Sequence, residues 1–96
     1  MSESDLTGGN LSGANLRGAN LVDANLTGAN LSGANLRDVN LADANLLDAD
    51  LSSLISIDGA DFSGVLNLSD TSREYLSAIA SGENPITGAE TGLSLN

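Results

Sequence analysis

The chain has 96 residues, which suits one small domain, and its 13 acidic residues against 3 basic ones give a formal net charge of −10. Such a surface repels nucleic acid and anionic lipid head groups and favours a basic partner or none, so we expect no direct nucleic-acid binding. Histidine and cysteine are both absent, which excludes Cys–His and Ser–His–Asp nucleophile systems, Cys/His zinc sites and disulfides.

The start of the chain shows no targeting signal. Met1 to Asp5 lacks both the basic and the apolar region of a secretory signal. No apolar run approaches the length needed to cross a bilayer. We therefore expect a cytoplasmic protein with no membrane insertion.

A five-residue repeat, Ala-Asn-Leu-x-x, fills the first half of the chain. A small or apolar residue stands two positions before almost every central leucine, and Asn or Asp lies between them. The centres recur without a miss at Leu6, Leu11, Leu16, Leu21, Leu26, Leu31, Leu36, Leu41, Leu46 and Leu51. A period of five fits neither an α-helix nor a flat strand.

The chain must bend once per repeat to keep alanine and leucine on one interior. Residues two apart in an extended chain point the same way, but the next alanine lies three residues beyond each leucine. Glycine, which accepts the positive φ of a type II turn, stands at the bend at Gly8, Gly13, Gly18, Gly28 and Gly33. Aspartate replaces it at Asp23, Asp38, Asp43 and Asp48. We expect a different turn geometry there, because aspartate tolerates positive φ less well.

Self-comparison of the sequence predicts twenty residues, or four pentads, per coil. Residues 6–17 match residues 26–37 at 11 of 12 positions, but the same window matches at only 7 of 12 at a lag of 15. Four bends would then return the chain above itself. The alternative is a recent duplication without structural meaning.

The register shifts by one residue after Leu51. The next centre should be Ser56, which is polar, whereas a shift of one residue makes Ile57 the centre. We expect Leu54 to be the inserted residue, forming a bulge at a corner. Twelve centres then make about three coils, ending near Val65.

A short helix is predicted to close the C-terminal end. Residues 71–74 follow the capping-box pattern of a helix start, and Gly82 is a suitable stop. One face of this helix would carry Tyr75, Leu76, Ile79 and Ala80. We expect Phe62 and Tyr75 to fill the last coil beneath it. Turns are expected at Asn84-Pro85 and Gly88.

The N-terminal end has no visible cap. Residues 1–5 are too short and polar to cover the layer of Leu6, Leu11, Leu16 and Leu21. Either a preceding segment is missing or two copies meet at this open ladder. We therefore expect a homodimer through the uncapped first coil.

These repeats resemble those of the pentapeptide-repeat proteins, whose motif is A(D/N)LXX. The match covers roughly residues 4–64, including ten successive leucines. The resemblance implies an all-β solenoid, a right-handed quadrilateral β-helix with alanine and leucine inward and the other three residues outward. We expect about three coils of 20 residues at 4–67 and a short α-helical cap with its tail at 68–96.

The tail is similar to the end of cyanobacterial and chloroplast thylakoid-lumen members of that family. The similarity rests on residues 76–88, followed by Thr91 and Ser94-Leu95. It implies a cyanobacterial or plastid-lineage source. The thylakoid lumen or the periplasm is the alternative location if the chain is a mature form or a fragment. Plant members often carry cysteines here, and their absence argues against a disulfide-regulated role.

Stacking residues twenty apart predicts columns of like side chains about 4.8 Å apart. We interpret two of them, Asn10-Asn30-Asp50 and Asn20-Asn40-Asp61, as structural ladders. Arg37, which stacks on Arg17, is expected to form a surface salt bridge with Asp58. Asp23 and Asp43 also stack, which suggests a weak Ca²⁺ site or an acid/base pair, but nothing encloses an ion and we favour solvated surface. We therefore predict no catalytic, cofactor-binding or metal-binding residues.

The predicted function is a non-catalytic structural or protein-interaction module with an unknown protein partner. One alternative is an acidic DNA mimic that binds a topoisomerase such as DNA gyrase, as some pentapeptide-repeat proteins do, with a dimer supplying the length. Another is ice or surface binding through Ser12, Ser32 and Ser52, although the neighbouring columns are irregular. An enzyme is least expected, because no acid, base and nucleophile converge and side chains fill the interior.

Overall fold

The computed structural model describes residues 5–80, 82 and 87. Within them the chain winds into stacked coils joined by parallel bridges between residues twenty apart, such as Asn10 with Asn30. After the register shift the separation is one residue greater, as between Asn40 and Asp61. Twenty is the spacing that the self-comparison of the sequence predicts. In these residues each bridge joins single residues rather than long strands, and the helix α1 spans Asp70–Ile79.

Each coil has four sides of five residues, which are numbered here by their centres. Side 1 is centred on Leu6, Leu26 and Leu46, and side 2 on Leu11, Leu31 and Leu51. Side 3 is centred on Leu16, Leu36 and Ile57, and side 4 on Leu21, Leu41 and Phe62. The coil-to-coil contact repeats a pair of hydrogen bonds at the bridging residue and a third bond two residues later, as where the Gly13 amide donates to the Ser32 carbonyl at 2.9 Å. On side 2 the Leu11 amide donates to the Asn30 carbonyl at 2.7 Å, and the Asn30 amide donates back to the Gly9 carbonyl at 2.8 Å.

The turns that end the sides share one geometry. After Leu11 the amide of Ala14 donates to the Leu11 carbonyl at 3.0 Å, and Gly13 between them has a φ of +68°. At Asp23 the φ is +59°, and the turn is closed by the same type of bond at 3.0 Å. The expectation of a different geometry at the aspartates is therefore wrong. The ladder bonds on both flanks fix the corner, and they outweigh the strain of a left-handed aspartate.

The inward residues form a continuous apolar interior. The coil residues that are 0% exposed are Ala24, Leu26, Ala29, Ala34, Leu36, Val39, Leu41, Ala44, Ala60 and Phe62. The first coil is less covered, because Leu6 and Leu11 are only partly buried against the core. The inward side chains are therefore less well buried at the N-terminal end of the stack.

The inserted residue is Ile55 rather than Leu54. Leu54 is 9% exposed and takes the inward position that alanine holds elsewhere, whereas Ile55 is 71% exposed. The Ile55 amide donates to Ala34 at 3.0 Å and the Ser56 carbonyl accepts from Leu36 at 2.9 Å. Two residues thus share the bonds that one Asn makes on other sides, which defines a β-bulge. The prediction at Leu54 is wrong because leucine and isoleucine are equally apolar, so the repeat pattern does not distinguish them.

The ladder ends at Leu66, which bridges Asn45 one residue beyond the predicted end at Val65. The division into a repeat unit at 4–67 and a cap with tail at 68–96 stays a prediction. Residues 1–4, and the turns predicted at 84–85 and 88, lie outside the described residues.

Helix α1 begins at Asp70, one residue before the predicted capping box. Its N-cap is Ser69, whose hydroxyl accepts a hydrogen bond from the Ser72 amide at 3.1 Å. The assignment of the start to Thr71 is therefore wrong, because serine at 69 and threonine at 71 are both good N-caps and the chain path selects the first. In the described part of the chain no helix is long and apolar enough to span a bilayer.

Leu76 is the residue of α1 that belongs to the buried core. It is fully buried, whereas Tyr75 is 36% exposed. Phe62 fills the coil as expected, but the same prediction for Tyr75 is wrong, because Tyr75 lines an open cavity beside Leu51 and Ser52 instead of the interior. Beyond the helix, a Cβ on Gly82 would lie 3.4 Å from the Gly59 amide nitrogen, so the chain passes over the corner between sides 3 and 4.

Candidate functional site

The Asn and Asp residues between alanine and leucine stabilise their own corners. Asn10, Asn30 and Asp50 lie in register, as the predicted column requires. The side-chain Oδ1 of Asn30 accepts from the Ser32 amide at 3.0 Å, and Asp50 accepts from Ser52 at the same distance. This Asx bond holds the chain at the start of each turn. Because the bond consumes the acceptor oxygen inside the chain, the geometry agrees with a structural ladder.

The serine column on side 2 does not present a uniform array of hydroxyls. Ser12 Oγ donates to Asn10 Oδ1 at 2.9 Å, and Ser52 Oγ donates to Asp50 Oδ1 at 2.7 Å. These protons are directed along the chain rather than outward. The arrangement gives no support to ice binding.

Asp61 is a buried carboxylate whose hydrogen bonds are satisfied. Its side chain is 3% exposed and accepts from the Ser63 amide at 2.9 Å and the Ser63 hydroxyl at 2.6 Å. Burial raises the pKa of Asp61, but hydrogen bonds from Ser63 and Thr87 lower it more, so the net pKa lies below the ordinary value of 3.8. A carboxylate held ionised in this way is unsuited to act as a general acid near neutral pH.

The predicted salt bridge between Arg37 and Asp58 is confirmed. Its nitrogen and oxygen lie 3.9 Å apart, and the two side chains are 49% and 45% exposed. An exposed pair at this distance contributes under about 1 kcal/mol. It marks side 3 as the side with mixed charge, since Arg17 stands one coil before Arg37 in the same column.

Asp23 and Asp43 lie one coil apart at the corner between sides 4 and 1. Both are exposed, and a Cβ on Gly64 would overlap the Asp43 carboxylate, so Asp43 lies over the next corner. Among the described residues, no group of three or more His, Cys, Asp or Glu side chains could hold a metal ion. The absence of catalytic, cofactor and metal residues stays a prediction.

A groove between helix α1 and the corner joining sides 1 and 2 is the feature that the sequence analysis missed. It consists of two adjoining cavities of about 590 and about 480 Å³ that share Ala49, Asp50 and Ser72. Leu47 in the first cavity is 43% exposed, and Tyr75 lines the second. The signal was present in the sequence, because Leu47 breaks a column that is threonine at 7 and 27.

The family model for pentapeptide repeats matches residues 1–38, 19–53 and 29–66, with 8 copies of the repeat. The chain belongs to the pentapeptide-repeat family. This confirms the resemblance inferred from the A(D/N)LXX motif. Proteins of this family form right-handed β-helices.

Three solved pentapeptide-repeat proteins are similar to this one. Rfr23 from the cyanobacterium Cyanothece is 45% identical, covers 68% of this chain and 41% of its own, and has a TM-score of 0.56. A protein of the Arabidopsis thaliana thylakoid lumen is 35% identical over 99% of this chain and 72% of its own, with a TM-score of 0.44. HetL from the cyanobacterium Nostoc, which is involved in heterocyst differentiation regulation, is 30% identical over 66% of this chain and 40% of its own, with a TM-score of 0.26.

This pentapeptide-repeat chain therefore spans 41% of the length of Rfr23. The comparison with curated proteins gives no match. What the pentapeptide-repeat surface binds must accordingly be argued from the residues that it exposes.

Proposed function

We propose that this pentapeptide-repeat chain is a non-catalytic interaction module. It is a right-handed quadrilateral β-helix of about three coils, capped by α1, that presents its outer surface to a protein partner. The observation that carries the proposal is how the side chains are used. The inward set fills the interior, and the Asx bonds consume the Asn and Asp oxygens that lie nearest the backbone.

The groove beside α1 is the surface that we assign to the partner. Leu47 is well exposed there, and Leu46, Ala49 and Leu68 line the same cavity. Asp48 and Asp50 border the groove. An apolar centre with an acidic rim suits a partner that offers an apolar side chain flanked by lysine or arginine.

The test uses Leu47→Thr, because threonine already occupies the same column at Thr27, where its hydroxyl donates to Asn25 Oδ1 at 2.6 Å. We expect a partner captured by the wild-type chain from its source cells, once identified and purified, to bind Leu47→Thr at least tenfold more weakly. Thr27→Ser, one coil away, should bind as the wild type does. Equal affinity of Leu47→Thr and wild type would reject the groove as the interface.

A DNA mimic is the second candidate, supported by the net charge of −10 and by exposed Asp23 and Asp43 in register one coil apart. In this candidate the chain would inhibit supercoiling by a topoisomerase such as DNA gyrase. The double variant Asp23→Asn, Asp43→Asn should then inhibit less than wild type. Unchanged gyrase supercoiling at micromolar protein would eliminate this candidate.

We place the chain in the cytoplasm, with the thylakoid lumen or periplasm as the alternative. Fractionation of the source cells with an antibody to the chain distinguishes these compartments. Recovery with the lumenal or periplasmic fraction would replace the cytoplasmic assignment.

A further inference from the structure

The first coil leaves one edge of its ladder without a partner among the described residues. In the second coil, Asn30 directs both its backbone amide and its carbonyl toward the first coil, where they bond Gly9 and Leu11. The bridged residues repeat this orientation from coil to coil, so the same two groups of Asn10 point away from the stack. The open edge thus carries one N–H and one C=O on each side, at Asp5, Asn10, Asn15 and Asn20. By the same repetition it carries a second C=O two residues later on each side, at Thr7, Ser12, Arg17 and Val22.

We propose that this edge binds the same edge of a second copy of the chain, forming a head-to-head dimer in which the two open edges face each other. The inference does not depend on the groove or on the proposed partner. Two-fold rotation reverses the chain direction, so facing residues become antiparallel. A residue with both backbone groups outward can then exchange two hydrogen bonds with the residue opposite.

The climb of the coil selects one position for the two-fold axis. Coils lie about 4.8 Å apart, so each of the four sides climbs by about 1.2 Å. If the axis passes through the corner between sides 2 and 3, side 2 faces side 3 of the partner, and side 1 faces side 4. The rise of each side along the coil axis is then offset by that of the partner's side opposite, so the distance between facing sides is the same on all four. An axis through the middle of side 1 brings that side into contact first and leaves the other three apart.

This register pairs large side chains with small ones. Asn10 faces the partner's Asn15, so inside the coil Leu11 lies opposite the partner's Ala14. On the adjoining side Leu6 lies opposite the partner's Ala19 by the same count. Leu6, Leu11, Ala14 and Ala19 are the partly buried residues of the first coil, and the second copy would bury them.

The register also keeps like charges apart. Asp5 is the one charged residue among the four bridging positions, and it faces the partner's Asn20. An axis through side 1 would instead place Asp5 against the partner's Asp5, which is unfavourable across an antiparallel pair. Charge therefore disfavours the axis through side 1, which the climb of the coil also disfavours.

Sedimentation equilibrium on the 96-residue chain measures the association directly. We expect a concentration-dependent mass that rises from 9.6 kDa toward twice that value. A mass of 9.6 kDa at every concentration up to about a millimolar would overturn the proposal.

The register is tested with Asn20→Asp, which sets two carboxylates opposite Asp5 residues, one on each side of the axis. The change suits the fold, because Asp61 occupies the same column. We expect the dimer Kd to rise roughly tenfold at low salt, and less at high salt. The control Asn40→Asp adds the same charge one coil away and should leave the Kd unchanged.

The double variant Asp5→Asn, Asn20→Asp exchanges the two residues and keeps the wild-type net charge. It should restore the wild-type Kd, because Asn again faces Asp at both positions. Failure to restore the Kd, or an equal effect of Asn40→Asp, would overturn this register. Circular dichroism of each variant verifies that the fold is retained.

Discussion

The position two residues after each centre, where the turn needs positive φ, places the tightest constraint on any single residue of the repeats. Non-glycine residues adopt positive φ there at Asp23, Asp38, Asp43, Asp48 and Ser53. A left-handed residue with a Cβ costs roughly 1–2 kcal/mol. The coil-to-coil bonds stabilise each of these corners enough to hold the residue there.

Gly64→Ala should destabilise the chain more than Gly33→Ala. The two glycines have φ values of +68° and +71°, so the backbone strain of alanine is about equal in both. A Cβ at Gly33 makes ordinary contacts with Gly13, but one at Gly64 overlaps the carboxylate of Asp43 and forces it to rotate. Urea unfolding should show a loss of about 1–2 kcal/mol for Gly33→Ala and a greater loss for Gly64→Ala.

Removing the Asp43 carboxylate tests that explanation. In an Asp43→Gly background, Gly64→Ala should cost no more than Gly33→Ala. A persistent difference between the two glycines would show that the carboxylate is not the cause.

The buried carboxylate of Asp61 should make stability depend on acid pH. Because its folded pKa lies below the ordinary value of 3.8, the unfolded chain binds more protons in acid. The stabilisation is complete above the ordinary value and is lost as the pH falls through the folded pKa. We expect Asp61→Asn, which places in this column the residue found at Asn20 and Asn40, to lose less stability between about pH 5 and pH 2.

Carboxyl NMR titration measures this pKa directly. Ser63→Ala removes the hydroxyl donor and should move the Asp61 pKa upward. An unchanged titration would mean that the Ser63 hydroxyl does not hold the carboxylate ionised.

Among the elements, helix α1 depends on one hydroxyl at its start. Ser69→Ala should lower the free energy of unfolding by about 1 kcal/mol, because it leaves the Ser72 amide without its acceptor. Thr71→Ala lies inside α1 and should change stability by less than about 0.5 kcal/mol. Chemical denaturation followed at 222 nm compares the two. A larger loss from Thr71→Ala would move the helix start back to the predicted capping box.

The bulge and the cap show how far sequence reasoning reaches at the level of elements. The existence of a bulge after Leu51 and of a helix near residue 70 followed from periodicity and capping chemistry. The choice between Leu54 and Ile55, or between Ser69 and Thr71, did not. In each pair two chemically similar residues compete, and only the path of the neighbouring coil decides which one points inward or caps.

For the whole molecule, stability should decrease from the centre of the stack toward the first coil. Leu31 has neighbours in the coils above and below, whereas Leu11 on the same side has a described coil on one flank only. Leu31→Ala should therefore cost about 2–5 kcal/mol, and Leu11→Ala clearly less. Denaturant unfolding at dilute protein, where association is negligible, provides the comparison. Equal losses would contradict a nearest-neighbour account of this solenoid.

The repeat region was the predictable part of the molecule, because one short pattern dictates both the interior and the corners. The groove beside α1 was not predictable from that pattern. The groove lies where leucine at 47 replaces the threonine that the column has at 7 and 27, and where α1 leaves Leu47 exposed. The direction in which α1 crosses the coils depends on tertiary packing. The leucine at 47 shows that the column changes there, but the sequence does not indicate that α1 lies beside it.

Because each coil has four sides, the number of residues in the repeats sets both the distance and the angle between the two ends of the molecule. Inserting a further twenty residues in phase would move α1 about 4.8 Å along the coil axis and leave its orientation about that axis unchanged. Inserting a single pentad would instead swing α1 by a quarter turn relative to the Arg17–Arg37 column. Splicing pentads can thus set the angle between the two ends of the molecule in ninety-degree steps without altering one interior contact type.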